Sequence, residues 1–170
     1  MRSGPDRAVP SCEGAVAVPL LEPELTFAFE ARVEIAEPVQ VTHGPDEELR
    51  FIPITGGTVT GPRLNGEVLP YGGDWATTRR GETELDARYL VRADDGGIID
   101  VHNRGIGYVS PEAMERLRAG EPLDETNFYF RTSPVFRTGA PAHAWLTSTV
   151  FIGMARREDG MVCIRFFALS

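Results

Sequence analysis

Between Arg79 and Gly105 the chain reads RRGETELDARYLVRADDGGIIDVHNRG, and no other stretch limits the fold as tightly. Two runs, Glu84–Arg92 and Ile98–Arg104, flank Asp94-Asp95-Gly96-Gly97. Gly and Asp tolerate positive φ where a chain reverses, so the segment predicts a β-hairpin. In the first run Glu84, Asp86, Arg88 and Arg92 share one face, and Leu85, Ala87, Tyr89 and Val91 share the other. In the second, Asp100, His102 and Arg104 fall together, because strand side chains repeat every two residues. One hairpin therefore carries carboxylates, an imidazole and guanidinium groups on strand faces. Such a face is either solvated surface or the polar lining of a pocket.

The same alternation recurs along the chain. Glu24–Ile35 places Leu25, Phe27, Phe29, Ala31, Val33 and Ile35 on one side of a long half-buried strand, a habit of barrels. His43–Glu48 is polar and predicts a loop. Leu49–Thr60 is a strand whose Gly56-Gly57 pair marks a bulge or sharp bend. Leu64–Leu69, Asp74–Thr78, Asn127–Thr132 (extending as far as Gly139), Ala144–Arg156 and Met161–Leu169 complete the strands. Ser110-Pro111-Glu112 opens one short helix, Pro111–Ala119, with a capping hydroxyl, a proline at its first position and an acid in its first turn. About nine strands joined by short turns imply an all-β fold, a single antiparallel sheet that most simply closes into a barrel.

Composition bounds what such a barrel does. The 170 residues are 42% hydrophobic and 25% charged, enough for one domain with a sizeable core. A formal net charge of −8 argues against non-specific nucleic-acid binding, which needs basic patches. No apolar run approaches the roughly 20 residues of a membrane span, and no secretory signal core is visible, so a cytoplasmic protein without membrane association is expected. Met1–Val18 is rich in Gly, Pro, Ser and Ala without apolar period, which predicts a disordered tail over residues 1–18 and a single barrel domain over residues 19–170. Cys12 and Cys163 are read as free thiols, a disulfide being the minor alternative. No metal-ligand spacing, P-loop or dinucleotide motif is present, so no metal or cofactor is expected.

Four blocks, Ile54–Trp75, Glu84–Gly105, Tyr129–Gly139 and Ala144–Gly153, resemble in order an uncharacterised small β-barrel family, the domain of unknown function DUF3237. The resemblance spans roughly Leu20–Leu169. It implies a calycin-like, lipocalin-like antiparallel barrel, often assembled as a homo-oligomer, with no established general activity. After the hairpin turn the family commonly runs aliphatic–Tyr–Val–Arg/Asn–Asn–Arg–Gly. Here Ile99-Asp100-Val101-His102-Asn103-Arg104-Gly105 departs from that pattern at Asp100 and His102.

Asp100 and His102 lie two apart on one strand, about 6–7 Å at Cα, and a carboxylate near an imidazole can shuttle a proton near pH 7. Asp86 and Arg88 of the neighbouring strand reach the same face if the register fits. The candidate catalytic set is therefore His102, Asp100, Asp86 and Arg131, with Arg131 or Arg104 stabilising a developing oxygen charge. Candidate ligand-binding residues are Asp74, Trp75, Arg88, Arg104, Tyr129 and Trp145, the aromatics forming an apolar wall. Each has a plainer alternative: solvated strand charges, a Trp75 that caps the core, an Arg131 paired with a buried acid, a Trp145 packed in the core. His43 and His143 lie in loop-like contexts. Two functions from different classes follow. One is a cofactor-independent cyclase, isomerase or dehydratase acting by acid–base chemistry on a small, largely apolar oxygenated metabolite, polyketide-like compounds included. The other is a non-catalytic barrel that holds an apolar ligand.

Overall fold

The computed structural model describes residues 21–121 and 126–170. The expected tail over residues 1–18, with Cys12, lies outside the described residues. In chain order the elements are β1 (Leu25–Ile35), β2 (Val39–His43), β3 (Glu48–Thr60), β4 (Gly66–Val68), β5 (Gly72–Arg79), β6 (Glu82–Ala93), β7 (Ile98–Val109), α1 (Pro111–Arg118), β8 (Phe128–Thr138), a 3₁₀ helix (Pro141–Ser148), β9 (Phe151–Glu158) and β10 (Met161–Leu169). All strand pairs are antiparallel, and β1 pairs with both β10 and β3. That double pairing closes an eight-stranded barrel, with two further strands and one short α-helix outside the count. The extra strands are β2, paired only to β3, and β4, which bridges β3 and β6.

The central hairpin forms as its sequence predicts. Gly96 takes φ 87, the Asp95 carboxylate accepts the Gly97 N–H at 2.9 Å, and Glu82–Arg92 pairs with Ile98–Tyr108 in continuous register. The strand runs past Arg104 to Val109 because glycines allow close approach: a Cβ on Gly105 would meet the Arg131 carbonyl oxygen at 2.4 Å. The Gly56-Gly57 bend also forms. Gly57 has φ 136, a Cβ there would meet the Arg32 carbonyl oxygen at 2.0 Å, and the β1–β3 register shifts just beyond it, between Glu34 and Ile35. This is where the barrel closes.

The polar stretch expected as a loop forms one between β2 and β3, whose facing ends are His43 and Glu48. Val39–His43 before it is a strand that the sequence reading does not predict: it is exposed throughout, so its Val-Gln-Val-Thr alternation marks no buried face. One expectation is corrected. Ala144–Arg156 is not one long strand. Pro141 starts a 3₁₀ helix, and the Thr147 and Thr149 hydroxyls donate to the Ala144 and Trp145 carbonyls, drawing off a β-rich composition into a turn of helix. Strand pairing resumes only at Phe151. The strand count is thus ten rather than nine.

The inward parity of each strand is apolar. At one end Phe29, Phe136, Phe151 and Phe166 pack edge-on or tilted with ring centroids 5.0–5.8 Å apart. Such pairs add about 0.5–1.5 kcal/mol each to the burial of their area. The 3₁₀ helix seals this end with buried Leu146 and with Trp145, which packs on Phe151 beneath the Arg63 guanidinium at 3.6 Å. Toward the other end the inward side chains shrink or become polar, and the barrel stays open.

Outside, β1 and β9 carry, across β10, a closed ion-pair network of Glu30, Arg32, Arg156 and Glu158, with N···O separations of 2.7–3.3 Å. It covers Cys163, a free and fully buried thiol that sits between Arg32 and Arg156 in the ladder. No helix among the described residues is long and apolar enough to cross a membrane.

Candidate functional site

The open half of the barrel encloses a cavity of about 750 Å³, within the roughly 300–1,000 Å³ of small-molecule sites. Its wall is built by strand parity. Val33, Ile52, Ile54, Ala76, Leu85, Ala87 and Ile164 supply apolar surface, and Met114 and Pro111 of α1 lie across the mouth. Ser110 holds that helix start, its Oγ accepting the Ala113 N–H at 3.1 Å, and Gly120 ends it with φ 77. Small residues keep the space free: a Cβ on Gly107 would meet nothing nearer than 3.8 Å.

Four polar side chains interrupt this wall deep inside. Asp74 of β5 stands opposite Ala87 of β6, which stands opposite Asn103 of β7. Two strand spacings place Asp74 and Asn103 about 10 Å apart at Cα with only a methyl between them. Tyr89, two residues along β6, points into the same space, and Thr132 of β8 faces it from beyond Gly105. The Tyr89 hydroxyl, Asn103 Oδ1 and Thr132 Oγ1 are buried without a hydrogen-bond partner. Buried polar atoms are normally satisfied, so three without a protein partner on one cavity offer hydrogen-bonding capacity to a ligand or to water.

Asp74 is the acid of this set. Burial pushes its carboxyl up from the ordinary 3.8 to about 6; the Asp86 N–H, donating to Oδ1 at 2.9 Å, works against that, the nearby Asp86 carboxylate adds to it, and Arg157 lowers it. Near neutral pH the group therefore exchanges a proton readily, the range in which a general acid–base works best. Burial also pushes the Tyr89 hydroxyl up, with the Asp74 charge adding to the effect, so it stays a hydrogen-bond donor.

The other sequence candidates divide by parity. Asp86, Arg88, Asp100, His102 and Arg104 all stand on the outer face. There the register does bring them together as expected: His102 Nε2 lies 2.5 Å from Asp86 Oδ1, and Arg88 binds Asp100 through two hydrogen bonds of 2.8 and 3.0 Å. The His102 and Asp86 side chains are 44% and 49% exposed, so this ladder faces solvent and not the cavity. Arg88 holds the Asp100 carboxyl below the usual carboxylate range. Arg131 is also outward, donating to its neighbour's carbonyl at Phe130 and lying 5.3 Å from the Tyr129 ring. Trp75 is outward and half-exposed, against Phe51. Trp145 belongs to the sealed end. Of the binding candidates Asp74 and Tyr129 line the cavity, Tyr129 at the mouth, stacked on Tyr108 with centroids 5.2 Å apart. His143 binds Asp95 at 3.1 Å beside the hairpin turn.

Tyr89, Asn103 and Thr132 were not among the sequence candidates. Their signal is parity: Asn103 follows Ile99 and Val101 on the apolar side of its strand, and Tyr89 stands between Ala87 and Val91. A polar group at an apolar parity position marks a lined interior better than an all-polar face does. Among the described residues no cluster of three or more His, Cys, Asp and Glu is arranged to hold a metal ion.

Comparison with known proteins agrees with this architecture. A protein of Rhodopseudomonas palustris named "UPF0311 protein" is 39% identical over 148 residues, covering 86% of this chain and 95% of its own. The crystal structure of a "beta-barrel like protein" from Acinetobacter baumannii matches with a TM-score of 0.79 at 31% identity, over 91% of this chain and all of that one. A structure described as an enzyme from Penicillium herquei shares the fold, with a TM-score of 0.69 at 18% identity over 91% of this chain and all of that one. The family model "Protein of unknown function (DUF3237)" matches residues 23–169, and the chain belongs to that family.

Proposed function

We propose that the barrel is a cofactor-independent acid–base enzyme that takes a small, largely apolar, oxygenated molecule into its open half and moves a proton with Asp74. The observation that carries this reading is the placement of one carboxyl, pushed up to about 6, beside a buried and unpartnered Tyr89 hydroxyl in an otherwise apolar cavity. The ionised Asp74 removes a proton from a carbon next to a carbonyl, or from a hydroxyl. The electron pair moves to the carbonyl oxygen, where the Tyr89 O–H donates a hydrogen bond. The Asn103 amide offers an acceptor or, turned over, a donor for a second oxygen. Protonated Asp74 then returns its proton at another position, which gives isomerisation, dehydration or ring closure depending on the molecule held. The narrow wall limits the conformers of the bound molecule, a contribution of several kcal/mol to ring closure when reacting atoms are held close.

The mainly apolar lining favours a second reading, a carrier without turnover. Exchange of the activated ring protons of 2-tetralone in deuterated buffer, followed by proton NMR, separates the two. An enzyme accelerates exchange over buffer alone, loses about a hundredfold or more of that acceleration in Asp74→Asn, and keeps it in His102→Ala. A carrier binds 2-tetralone and leaves its exchange rate unchanged. Full activity in Asp74→Asn, or its loss in His102→Ala, moves the site to the outer ladder.

A further inference from the structure

The cavity wall carries four charged side chains: Glu48, Arg50, Asp74 and Arg157. The chain is acidic overall, and several of its other arginines are spent outside. Arg32, Arg79, Arg88, Arg92 and Arg156 each form an ion pair on the outer surface. Arg157 is different. It stands opposite Val162 on the inward parity of β9, and no ion pair or hydrogen bond engages its guanidinium among the described residues. Its charge reaches inward far enough to lower the Asp74 pKa. Arg50 stands opposite Ala76, one inward step closer to the mouth than Asp74. Its Nε is buried without a hydrogen-bond partner, and it meets Glu48 only at 3.9 Å.

One guanidinium with a buried donor left unmet, and a second exposed at the rim without a protein partner among the described residues, stand above a proton-transfer group and define the shape of a ligand. We infer that the molecule held in the barrel is an organic anion, a flat apolar body whose carboxylate lies at the mouth between Arg50 and Arg157. A guanidinium presents its donors as a planar fork that fits a carboxylate's two oxygens, and a buried donor left unpaired is costly, so the carboxylate meets a need the fold leaves open. The carboxylate end is held one strand step above Asp74, and the far end of the body reaches Tyr89 and Asn103. This deepens the proposed function and rests on its reading of the cavity as the ligand site.

Naphthalene-2-carboxylate and naphthalene-2-carboxamide have nearly the same shape and differ in charge. Isothermal titration calorimetry of both at pH 7.5 and low salt is expected to show the carboxylate about tenfold tighter. Arg157→Gln and Arg50→Gln each reduce that preference several-fold and leave carboxamide affinity unchanged. Glu48→Gln increases it. Arg157 is at the rim, so its variant keeps the fold and carries the test even if Arg50→Gln unfolds. Equal binding of the two probes, or a preference that survives Arg157→Gln, overturns the anion inference while the cavity reading stands. If neither naphthalene probe binds but 2-tetralone does, the anion inference again falls alone. If none of the three binds, the cavity reading falls with it.

Discussion

Asp74→Asn removes a charge from the cavity wall and keeps the shape. The Asn Oδ1 still accepts the Asp86 N–H now bonded at 2.9 Å. An unfolded aspartate ionises near 3.8, and Asp74 in the folded chain near 6. Below pH 3.8 both states hold the proton and the group costs nothing. Between 3.8 and 6 the unfolded chain releases its proton and the folded chain keeps it, so stability falls as pH rises. Above 6 both states are ionised and the loss is complete. A hundredfold difference in proton affinity corresponds to about 3 kcal/mol. The Asn variant is therefore expected to be more stable than the parent by about 2–3 kcal/mol at pH 8, or ~5–10 °C in Tm. The two converge toward pH 4. Urea unfolding at intervals from pH 4 to pH 8.5 measures the difference directly, and its pH dependence is the signal, because the two proteins differ only at this group. A difference that stays flat across the range, or an Asn variant less stable at pH 8, would show that burial does not raise the Asp74 carboxyl.

Three further outcomes follow from the same geometry. Tyr89→Phe removes a buried hydroxyl that has no partner; stability measured by thermal unfolding stays equal or rises by up to about 1 kcal/mol, while 2-tetralone exchange slows. Gly107→Leu projects a side chain into the cavity without a clash at its Cβ, which would lie at ordinary contact distance, 3.8 Å, from Leu85 and Tyr129, so calorimetry shows a folded protein whose cavity no longer takes naphthalene-2-carboxylate. Gly57→Ala is not tolerated, because its φ of 136 and a Cβ 2.0 Å from the Arg32 carbonyl oxygen would prise β1 from β3; a loss of about 3 kcal/mol or more is expected in urea unfolding.

The barrel was legible in the sequence because its strands alternate and its turns carry Gly and Asp where positive φ is needed. The hairpin around Gly96, the bend at Gly56-Gly57 and the capped helix at Ser110 each form from local chemistry. The 3₁₀ helix was not legible: Trp145, Leu146 and the threonines around them have strand composition, and only tertiary packing at the sealed end, with hydroxyl back-bonds, turns them into helix. Strand β2 alternates over Val39-Gln40-Val41-Thr42, but it is only five residues long and exposed throughout, so it has no buried face to mark it. The site was legible in part. Asp74 was named, and the register joining Asp86, Arg88, Asp100 and His102 forms. What the sequence left open was which face turns inward. In β6 and β7 the apolar parity faces the cavity, so the dense charges lie outside and the polar groups that line the cavity are the isolated ones, Tyr89 and Asn103, among aliphatic neighbours. Arg50 and Arg157 look like ordinary strand charges until the barrel closes around them.

The central claim is that ligand chemistry takes place inside the open half of the barrel. Titration of methyl- and histidine-labelled protein with 2-tetralone, followed by heteronuclear NMR, tests it most directly. Ring-current shifts on the Ala87, Leu85 and Ile54 methyls, which line the cavity, with the His102 imidazole resonances unmoved, are the expected result. Shifts at His102 with those methyls unmoved would place the ligand on the outer face and contradict the account.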